Sequence, residues 1–375
     1  MSEGMQGDFE AARLTVRLAA ISANYRTYRR MTGPAAVAAV VKADAYGLGA
    51  ERVAPALAQA GCDTFFVARL EEGIALRKLV SQARIFVLDG AHADSVPALL
   101  RFSLTPVLNS LAQIAAWSAA ARLGRTPLDA VLHVDSGMNR LGLTPEELAT
   151  LAAEQARRLG GINLVLVMSH LACADQPQNK MNGQQLSRFR QALAMLPTAP
   201  ASLAASHGAM LGVDYHFDLV RPGVALYGAD PQKPEGMLAQ SGTPSLMQTA
   251  AVLTAKVLQV RRIDSGESVG YAATFRAKRP SMIATVALGY ADGLPRTLSN
   301  MGVAAIANVR VPVVGRVSMD LMTLDVTALV EPPHIGAEVE LIGDAISLGE
   351  VAQTAGTNEY EILTRLRRVP RHYEG

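Results

Sequence analysis

The stretch AVVKADAYGLGA, residues 39–50, begins as an apolar run and changes at a lysine into a loop that contains two glycines. A short apolar run bounded by a glycine loop is typical of a buried strand in a parallel sheet. Lys42 therefore stands at the carboxyl end of a predicted strand, residues 36–41. Taken alone, such a lysine is most often a side chain whose stem covers the strand end while its amine reaches water.

On both sides of this stretch, short apolar runs alternate with amphipathic segments from residue 20 to residue 225. Eight strands are predicted, at residues 36–41, 64–68, 85–88, 105–108, 130–134, 164–169, 201–205 and 218–220. The segments between them space apolar residues three and four positions apart, as helices do, at residues 69–80, 111–123, 145–159 and 184–195. Eight strand–helix units in about 200 residues predict an α/β fold whose N-terminal domain is a (β/α)8 TIM barrel.

A second, smaller domain is expected because 375 residues exceed the size at which one hydrophobic core usually stops growing. Residues 230–249 are rich in proline, glycine, glutamine and serine, which predicts a linker. Beyond them, alternating and apolar runs between glycine and proline turns predict a mostly-β domain that ends in a helix at residues 359–368. We place the domains at residues 12–235 and 236–375, although residues 12–17 alternate like a strand and could pair with the β domain.

Composition and charge argue against several classes of protein. Apolar residues make up 50% of the chain and charged residues 18%, with mean hydropathy +0.18, which indicates a folded core. A net charge of +2, without basic runs interleaved with aromatics, argues against nucleic acid as a partner. The acidic N-terminus does not fit a signal peptide, and no apolar segment approaches the ~20 residues of a membrane span. Two cysteines without a CxxC pair indicate a reducing compartment, so we expect a cytoplasmic protein. The small net charge makes a small molecule the expected partner.

The residues that follow the predicted strands are unusually polar. They are Lys42 after the first strand, His133 near the end of the fifth with Asp135 and Arg140 after it, His170 and Asp175 after the sixth, Ser206 after the seventh, and Arg221 and Gly223 after the eighth. In a barrel of this type the carboxyl ends of the strands carry the reactive groups. A lysine amine desolvated there has a lowered pKa and can attack a carbonyl carbon. The last two loops, with Ser206, Gly223 and Val224, suit a phosphate.

The histidines at the strand ends do not predict a metal site, because there is no HExxH pair and no close spacing of ligands. Gly47 and Gly49 form only part of a glycine-rich loop, and the GxGxxG and Walker A patterns are absent. We therefore expect no metal.

Eight motifs, spread over nearly the whole chain and in the same order, resemble those of the alanine racemase family. They are AVVKADAYGLGA, HVDSGMNRLG, SHLACAD, LVRPGVALYG, VGYAATF, ALGYADGLPR, VVGRVSMD and TNEYEILTRL. The combination of Lys42 in the first motif with Tyr271 in VGYAATF is specific. The resemblance implies a barrel that binds pyridoxal phosphate, a C-terminal β domain, and a homodimer whose active sites take residues from both subunits.

The resemblance also implies an enzyme that interconverts L- and D-alanine with two opposed bases. Biosynthesis of D-alanine for peptidoglycan precursors and catabolism of D-alanine both stay open on the sequence. Lys42 matches the lysine that carries the cofactor as a Schiff base and acts as the base on one face of the substrate α-carbon. Tyr271 of the partner subunit matches the base on the other face. One base removes the α-proton and the other returns a proton from the opposite side, which inverts the carbon.

Further residues match positions that hold the cofactor or the substrate in this family. The cofactor positions are Tyr46, Ser206, Gly223, Val224 and Tyr360 for the phosphate, His170 against the pyridine ring, and Arg221 facing the pyridine nitrogen. The substrate positions are Arg140, which also meets the cofactor's phenolic oxygen, Met319 through its backbone N–H, and Asp320 beside it. Asp175, Arg296 and Arg316 match polar residues of the corridor that leads to the site. The charged Arg221 would disfavour protonation of the pyridine nitrogen and so limit side reactions.

Each of these residues also has an ordinary structural interpretation. Tyr271 could be an aromatic residue of a β-strand, Arg221 a surface base before a proline turn, and Met319 a core methionine that fills a gap. Their joint occurrence in the order of the family favours the functional interpretation.

The sequence departs from the family pattern at two positions. His133 stands where many members have a lysine whose carbamate orients the arginine matching Arg140, and histidine forms no stable carbamate. We therefore expect another anion or acceptor, such as chloride or a nearby carboxylate, to orient Arg140. Ala205 stands where asparagine is common, so one polar contact near the phosphate is missing or replaced. This second departure bears on cofactor affinity and not on the type of reaction.

Three other functions stay open on the sequence. One is a racemase of broader or different specificity, such as one that accepts serine, although Tyr271 and Tyr360 suggest a narrow pocket. A decarboxylase of the same fold should place an acid at the pyridine nitrogen, where this chain has Arg221. A non-racemising pyridoxal-phosphate-binding protein built on the barrel should lack the β domain and Tyr271, and this chain has both.

Overall fold

The computed structural model describes residues 10–232 and 245–375, and these divide into two compact units. One unit contains residues 21–226, and most of the other lies between residues 245 and 375. Most of the predicted linker, and the predicted domain boundary after residue 235, lie outside the described residues. Among the described residues, no helix is long and apolar enough to cross a membrane.

The unit of residues 21–226 is a parallel barrel. Its strands are Ala36–Val37 with Ala39–Val40, then Thr64–Val67, Arg84–Val87, Thr105–Leu108, Leu128–His133, Ile162–Met168, Ala201–Ser202 and Leu219–Val220. Seven strands pair in chain order, from Ala39–Val40 to Ala201–Ser202. Leu219–Val220 pairs in parallel with Ala36–Val37, and a bridge between Ala205 and Arg221 closes the circle. Eight strands therefore lie at the eight predicted places, which confirms the (β/α)8 fold.

Of the helices of this part of the chain, one precedes the first barrel strand, and the others lie between successive strands. They are Leu18–Met31, Ala50–Gln59, Leu70–Leu79, Val96–Arg101, Leu111–Gly124, Pro145–Ala153, Gln155–Arg158 and Lys180–Ala194. The helix predicted at residues 145–159 is interrupted at Glu154. The last helix begins before the predicted residue 184, because the side chain of Asn179 caps it by accepting the N–H of Met181 at 3.0 Å.

The centre of the barrel is filled by apolar side chains from the strands. The cluster consists of Ala38, Phe66, Phe86, Val107, Val131, Leu166, Met168 and Leu219, all nearly inaccessible to water. The rings of Phe66 and Phe86 meet edge to face with centroids 4.9 Å apart. This packing makes the barrel a solid support for the residues at its strand ends.

The other unit is mostly β. Its strands are Ala12–Arg17, Ala251–Ile263, Ser268–Val269, Phe275–Arg276, Ser281–Val286, Val303–Ile306, Val309–Pro312, Met322–Asp325, Glu338–Ile342 and Arg371–Glu374. Ala12–Arg17 pairs antiparallel with Ala251–Ile263, with Leu14 opposite Leu253, and parallel with Arg371–Glu374. The alternating segment at residues 12–17 is therefore a strand of this β unit.

Two helices complete the β unit, Leu348–Ala355 and Glu359–Arg365. The helix predicted at residues 359–368 is α-helical over its first seven residues and tightens into a 3-10 turn at Leu366–Arg368. Such tightening is common at helix ends and precedes Pro370, before which a helix usually stops.

Candidate active site

The chain reverses its helical sense immediately after Lys42. Ala43, Asp44, Ala45 and Tyr46 have φ angles of 55°, 59°, 51° and 57°, so they form one left-handed turn. None of them is glycine, and this conformation costs an L residue roughly 1–2 kcal/mol. Backbone strain of this kind is concentrated at functional sites, where the surrounding structure holds it in place.

Two carboxylates hold the ends of this turn. One oxygen of Glu72 accepts the N–H of Ala43 at 2.6 Å, and its other oxygen accepts the N–H of Ala68 at 2.8 Å. The side chain of Asp44 accepts the N–H of Ala50, at the start of the next helix, at 2.8 Å. Charge-assisted hydrogen bonds to carboxylates are about twice as strong as neutral ones, so these three bonds help to hold the strained backbone beside Lys42.

The amine of Lys42 is half-buried and its pKa lies below the usual value for lysine. Burial is the main cause, and the positive charge of Arg140 adds to it. The carboxylates of Glu72 and Asp89 act in the opposite direction. A lowered pKa increases the fraction of neutral amine, which is the form that attacks a carbonyl carbon.

A cradle for an anion lies at the ends of the last two strands. The hydroxyl oxygen of Ser206 accepts the N–H groups of Gly223 at 2.9 Å and Ala225 at 3.4 Å. A Cβ atom at Gly223 would lie 2.3 Å from the phenolic oxygen of Tyr46, so only glycine fits there without displacing that ring. Val224, which is buried, begins a short 3-10 turn at this point. A phosphate group is commonly bound by hydroxyls and by backbone that it can approach closely because a glycine has no side chain.

Arg221 is buried, with 3% of its surface exposed, so it is not a surface base. Its guanidinium donates to the Ser202 hydroxyl and, at 2.7 Å, to the backbone carbonyl of Ser169, and it lies 5.8 Å from the centre of the Phe66 ring. No carboxylate of the described residues pairs with it. Burial lowers its pKa to about 9. The site thus contains a fixed donor that is still charged at neutral pH.

The two histidines at the strand ends are neutral. Burial, followed by the charge of Arg221, lowers the pKa of His133 to about 4 and that of His170 to about 3. Arg140 lowers both further, whereas Asp135 raises that of His133. No group of three or more His, Cys, Asp or Glu residues in the described ranges could hold a metal ion. The histidines can therefore serve here as packing groups and hydrogen-bonding groups.

The loop that carries His170 is fixed by Gln185, which is fully buried on the helix Lys180–Ala194. The amide of Gln185 donates to the backbone carbonyl of His170 at 2.9 Å and accepts the N–H of Ala172 at 2.8 Å. Asp175, a predicted corridor residue, follows in the same loop and is half-buried. A buried amide that pairs with backbone on both sides fixes the position of a loop more firmly than a surface contact does.

The loop that carries Arg140 is folded around Asp135. The carboxylate of Asp135 accepts the N–H groups of Gly137 and Met138 at 2.8 Å and of Asn139 at 3.0 Å. Arg140 follows, is exposed, and makes no hydrogen bond or ion pair with any residue that the structure describes. Asp135 is engaged with the backbone of the loop, so the orientation of Arg140 by chloride, a nearby carboxylate or another acceptor stays a prediction.

The remaining predicted residues belong to the β unit. Tyr271 is 73% exposed and begins a turn in which Ala272 and Ala273 have positive φ, at the tip of a two-stranded ribbon. Met319 is 55% exposed, so it is not a core methionine. Its N–H has no hydrogen-bond partner among the described residues. Asp320 is exposed beside it.

Close packing fixes the backbone of Met319 and Asp320. A Cβ atom at Gly289 would lie 2.2 Å from the carbonyl oxygen of Met319 and 2.5 Å from the nitrogen of Asp320, so glycine is required there. Tyr360 is 36% exposed on the helix Glu359–Arg365. Of the two arginines predicted for the corridor, Arg296 is exposed and Arg316 is half-buried.

Sequence reasoning missed three residues that hold the site, namely Glu72, Asn109 and Gln185. Glu72 stands in the first turn of a helix, where acids are common, so its bond to Ala43 leaves no distinct sequence signal. Asn109 does follow the fourth strand directly, and inspection of every strand end would have included it. The side-chain oxygen of Asn109 lies 2.8 Å from Nδ1 of His133.

Comparison with protein families gives two matches that together cover most of the chain. Residues 16–231 match the family model described as alanine racemase, N-terminal domain, and residues 250–373 match the one described as alanine racemase, C-terminal domain. The first match alone covers more than half of the chain.

Individual proteins and solved structures agree with these matches. The chain is 48% identical to a catabolic alanine racemase of Agrobacterium fabrum, over 96% of this chain and 91% of that protein. It is also 48% identical to an alanine racemase of Rhodospirillum rubrum, over 98% and 97% of the two chains. A structure of alanine racemase from Bartonella henselae with covalently bound pyridoxal phosphate has a TM-score of 0.91 and 40% identity, over 98% of this chain and all of that one. These matches show that the chain belongs to the alanine racemase family.

Proposed function

We propose that this protein is a pyridoxal-phosphate-dependent racemase that interconverts L- and D-alanine. The observation that carries the proposal is the placement of the Lys42 amine, with its lowered pKa, at the same barrel end as the Ser206 and Gly223 cradle. An amine that attacks an aldehyde and a cradle that suits a phosphate are the two groups that pyridoxal phosphate needs. The Bartonella henselae relative, which shares this fold, has pyridoxal phosphate covalently bound.

The residues of the barrel fit this cofactor. Ser206, Gly223 and Val224 would hold its phosphate, with Tyr46 against them, and Arg221 would face its pyridine nitrogen. Lys42 would hold its aldehyde carbon. Pyridoxal phosphate, when bound, stabilises the electron pair left on the α-carbon of an amino acid that has lost its proton. The charge of Arg221 has no carboxylate partner in the described ranges, which suits a donor that opposes protonation of the pyridine nitrogen.

The chain supplies the acid–base groups that inversion needs. Lys42 removes or returns the α-proton on one face, and the hydroxyl of Tyr271 does so on the other. The free N–H of Met319 would receive the substrate carboxylate. With Asp320 beside it, that N–H orients the α-carbon between the two bases.

We further propose that the protein works as a homodimer with shared active sites. A base that inverts a carbon must meet the substrate in a site from which water is largely excluded. Tyr271 is 73% exposed in the single chain and lies in a turn with two strained residues, which suits a residue that a partner subunit covers. Each site would then combine Lys42 of one protomer with Tyr271 of the partner subunit.

The cell compartment follows from the cysteines and the reaction. Cys62 and Cys173 are both free, which suits a reducing compartment. We place the reaction in the cytoplasm, where D-alanine enters peptidoglycan precursors. For Tyr360, Arg140, Asp175, Arg296 and Arg316 we propose the roles that the family resemblance implies.

Exchange measured over a panel of amino acids tests this function. Purified protein is expected to absorb as a covalent pyridoxal-phosphate enzyme and to racemise alanine faster than any other amino acid. Serine should be slower by roughly 5- to 150-fold, since one extra heavy atom in a narrow pocket is worth ~1–3 kcal/mol. A colourless protein, or one that is inert to alanine and active on another amino acid or in decarboxylation, would overturn the assignment.

Gly223→Ala tests the phosphate cradle. The new methyl group would overlap the phenolic oxygen of Tyr46 at 2.3 Å, so the ring must leave the cradle. Overpacking of a close-packed site costs ~1–3 kcal/mol, and we expect the affinity for pyridoxal phosphate to fall roughly 10- to 100-fold. Equilibrium dialysis of the apoprotein against the cofactor measures this.

Gly183→Ala is the matched control. A Cβ atom at Gly183 meets nothing within 4 Å, and the residue lies in the helix Lys180–Ala194, where alanine is favoured. Its cofactor affinity should equal that of the unmodified protein. Equal affinities for Gly223→Ala and Gly183→Ala would show that the phosphate binds elsewhere.

A further inference from the structure

His133 forms a buried pair with Asn109. The ring nitrogen Nδ1 lies 2.8 Å from the side-chain oxygen Oδ1 of Asn109, and the two residues are 9% and 6% exposed. His133 is the last residue of the strand Leu128–His133, and Asn109 directly follows the neighbouring strand Thr105–Leu108. The pair thus lies at the barrel end that carries the site.

The orientation of the Asn109 amide is fixed by the backbone. Its nitrogen Nδ2 donates to the carbonyl of Leu88 at 2.9 Å and to the carbonyl of Val107 at 2.8 Å. Backbone carbonyls only accept hydrogen bonds, so the NH2 group must face them and Oδ1 must face the histidine. Since Oδ1 is also only an acceptor, Nδ1 of His133 carries the hydrogen. The other ring nitrogen, Nε2, therefore has a lone pair.

The charges around the pair favour the neutral ring. The positive charges of Arg221 and Arg140 lower the pKa of His133, and the negative charge of Asp135 raises it. Burial has the largest effect, and the pKa lies near 4. At neutral pH the ring is uncharged, and Nε2 remains an acceptor.

The Cδ2 edge of the His133 ring lies against the loop that carries Arg140. A Cβ atom at Gly142 would lie 3.2 Å from Cδ2 of His133, the carbon bonded to Nε2. Arg140 is two residues before Gly142 and has no partner among the residues described. Among the residues that the structure describes, Nε2 of His133 has no donor and the guanidinium of Arg140 has no acceptor. The two groups belong to one strand end and the loop that follows it.

We propose that Nε2 of neutral His133 accepts a hydrogen bond from the guanidinium of Arg140 and orients it toward the site, with Asn109 fixing the required tautomer. His133 and Asn109 are then positioning residues that act through Arg140. The catalytic consequence rests on the proposed racemase function, whereas the tautomer and the proposed hydrogen bond can be tested without it. The acceptor expected in place of a carbamate is, on this inference, the histidine itself.

The tautomer can be measured in the absence of substrate by nuclear magnetic resonance. The protein is labelled with nitrogen-15 at its seven histidines. His133→Gln identifies the His133 signals by their disappearance. We expect a protonated Nδ1 and an unprotonated, hydrogen-bonded Nε2 at neutral pH. Arg140→Leu should shift the Nε2 signal to that of a free lone pair. A protonated Nε2, or an Nε2 signal that Arg140→Leu leaves unchanged, would overturn the proposal whether or not the protein racemises alanine.

Kinetics of the complete enzyme test the consequence. His133→Leu should lower kcat/KM roughly 10- to 100-fold, as loss of an orienting partner commonly does. His133→Gln, whose side-chain oxygen can take the place of Nε2, should recover most of that loss. Equal losses in both variants would contradict the acceptor role, and thermal unfolding of each variant separates such a loss from a failure to fold.

Asn109→Asp adds a readout that a purely structural role would not change. A carboxylate opposite Nδ1 favours the protonated ring and raises the pKa of His133 toward the range of pH ~5–8. Once protonated, Nε2 becomes a donor and no longer accepts from Arg140, so kcat/KM should acquire a new fall on the acid side. The unmodified enzyme and His92→Gln, an exposed histidine, should lack it. A profile parallel to that of the unmodified enzyme, or a kcat/KM that depends on chloride, would assign the orienting role to another group.

Discussion

Lys42→Ala is expected to abolish both alanine racemisation and the covalent attachment of pyridoxal phosphate. The variant loses the only amine that the described barrel places at the strand ends beside the Ser206 cradle, and no hydroxyl or carboxylate can form the same bond. Removal of a nucleophile that also serves as a base should lower kcat by more than about 10³-fold. Absorbance, mass spectrometry after reduction with borohydride, and exchange of L-alanine into D-alanine measure the two losses.

The stability of this variant separates loss of chemistry from loss of structure. Burial lowers the pKa of Lys42, so the charged amine is less stable in the folded protein than in the unfolded chain. Its removal should leave the melting temperature of the apoprotein unchanged or slightly higher. Lys78→Ala, on the helix Leu70–Leu79, is the control and should keep activity and cofactor. A Lys42→Ala protein that still racemises alanine would place the base elsewhere.

The positions of the reactive groups at the barrel end could be predicted from the sequence. Each strand is a short apolar run, and the carboxyl ends of parallel strands meet at one end of a closed barrel. That rule alone brings Lys42, Ser206 and Gly223 together, although they are far apart in the chain. The roles of individual residues needed the family resemblance, since a lysine at a strand end has an ordinary interpretation as well.

The details that hold these groups could not be predicted, for physical reasons. The left-handed turn after Lys42 contains no glycine, so composition gives no sign of it. It is stabilised by Glu72, which lies 29 positions from Ala43, a contact that only the closed fold creates. The pair of Asn109 and His133 likewise joins the ends of two strands, and the local sequence of neither strand indicates this contact. Residues 12–17 show the same limit in part, because alternation predicted a strand that could pair with the β domain but not which strands of that domain are its partners.

Two positive charges at this end of the barrel, those of Arg221 and Arg140, have no acidic partner among the described residues. The two histidines avoid additional charge by remaining neutral. A cluster of this kind is stable only with an anionic ligand or with much solvent, which fits a phosphate-bearing cofactor and a substrate with a carboxylate. Cofactor binding is therefore expected to stabilise the fold as well as to supply chemistry.

Tyr271→Phe is the second substitution with a large expected effect. Phenylalanine keeps the ring but has no hydroxyl, so one of the two opposed bases is lost. Racemisation should fall by roughly 10² to 10⁴, the range that general acid–base groups supply. Lys42 would still act on its own face, so one enantiomer of alanine should continue to exchange its α-proton with deuterium oxide. Equal loss of proton exchange from both enantiomers would argue against a base on each face.

Hybrid dimers test whether Tyr271 acts in the site of the partner subunit. Lys42→Ala and Tyr271→Phe each inactivate both sites of their own homodimer. If Tyr271 reaches the other protomer, a hybrid of the two variants has one site with both substitutions and one site with neither. Random exchange of subunits in equal amounts should then restore about a quarter of the unmodified activity, since half of the dimers are hybrids with one intact site. If both bases came from the same chain, every site would lack one of them and the mixture would stay inactive, so this one measurement decides between a shared site and a site within one protomer.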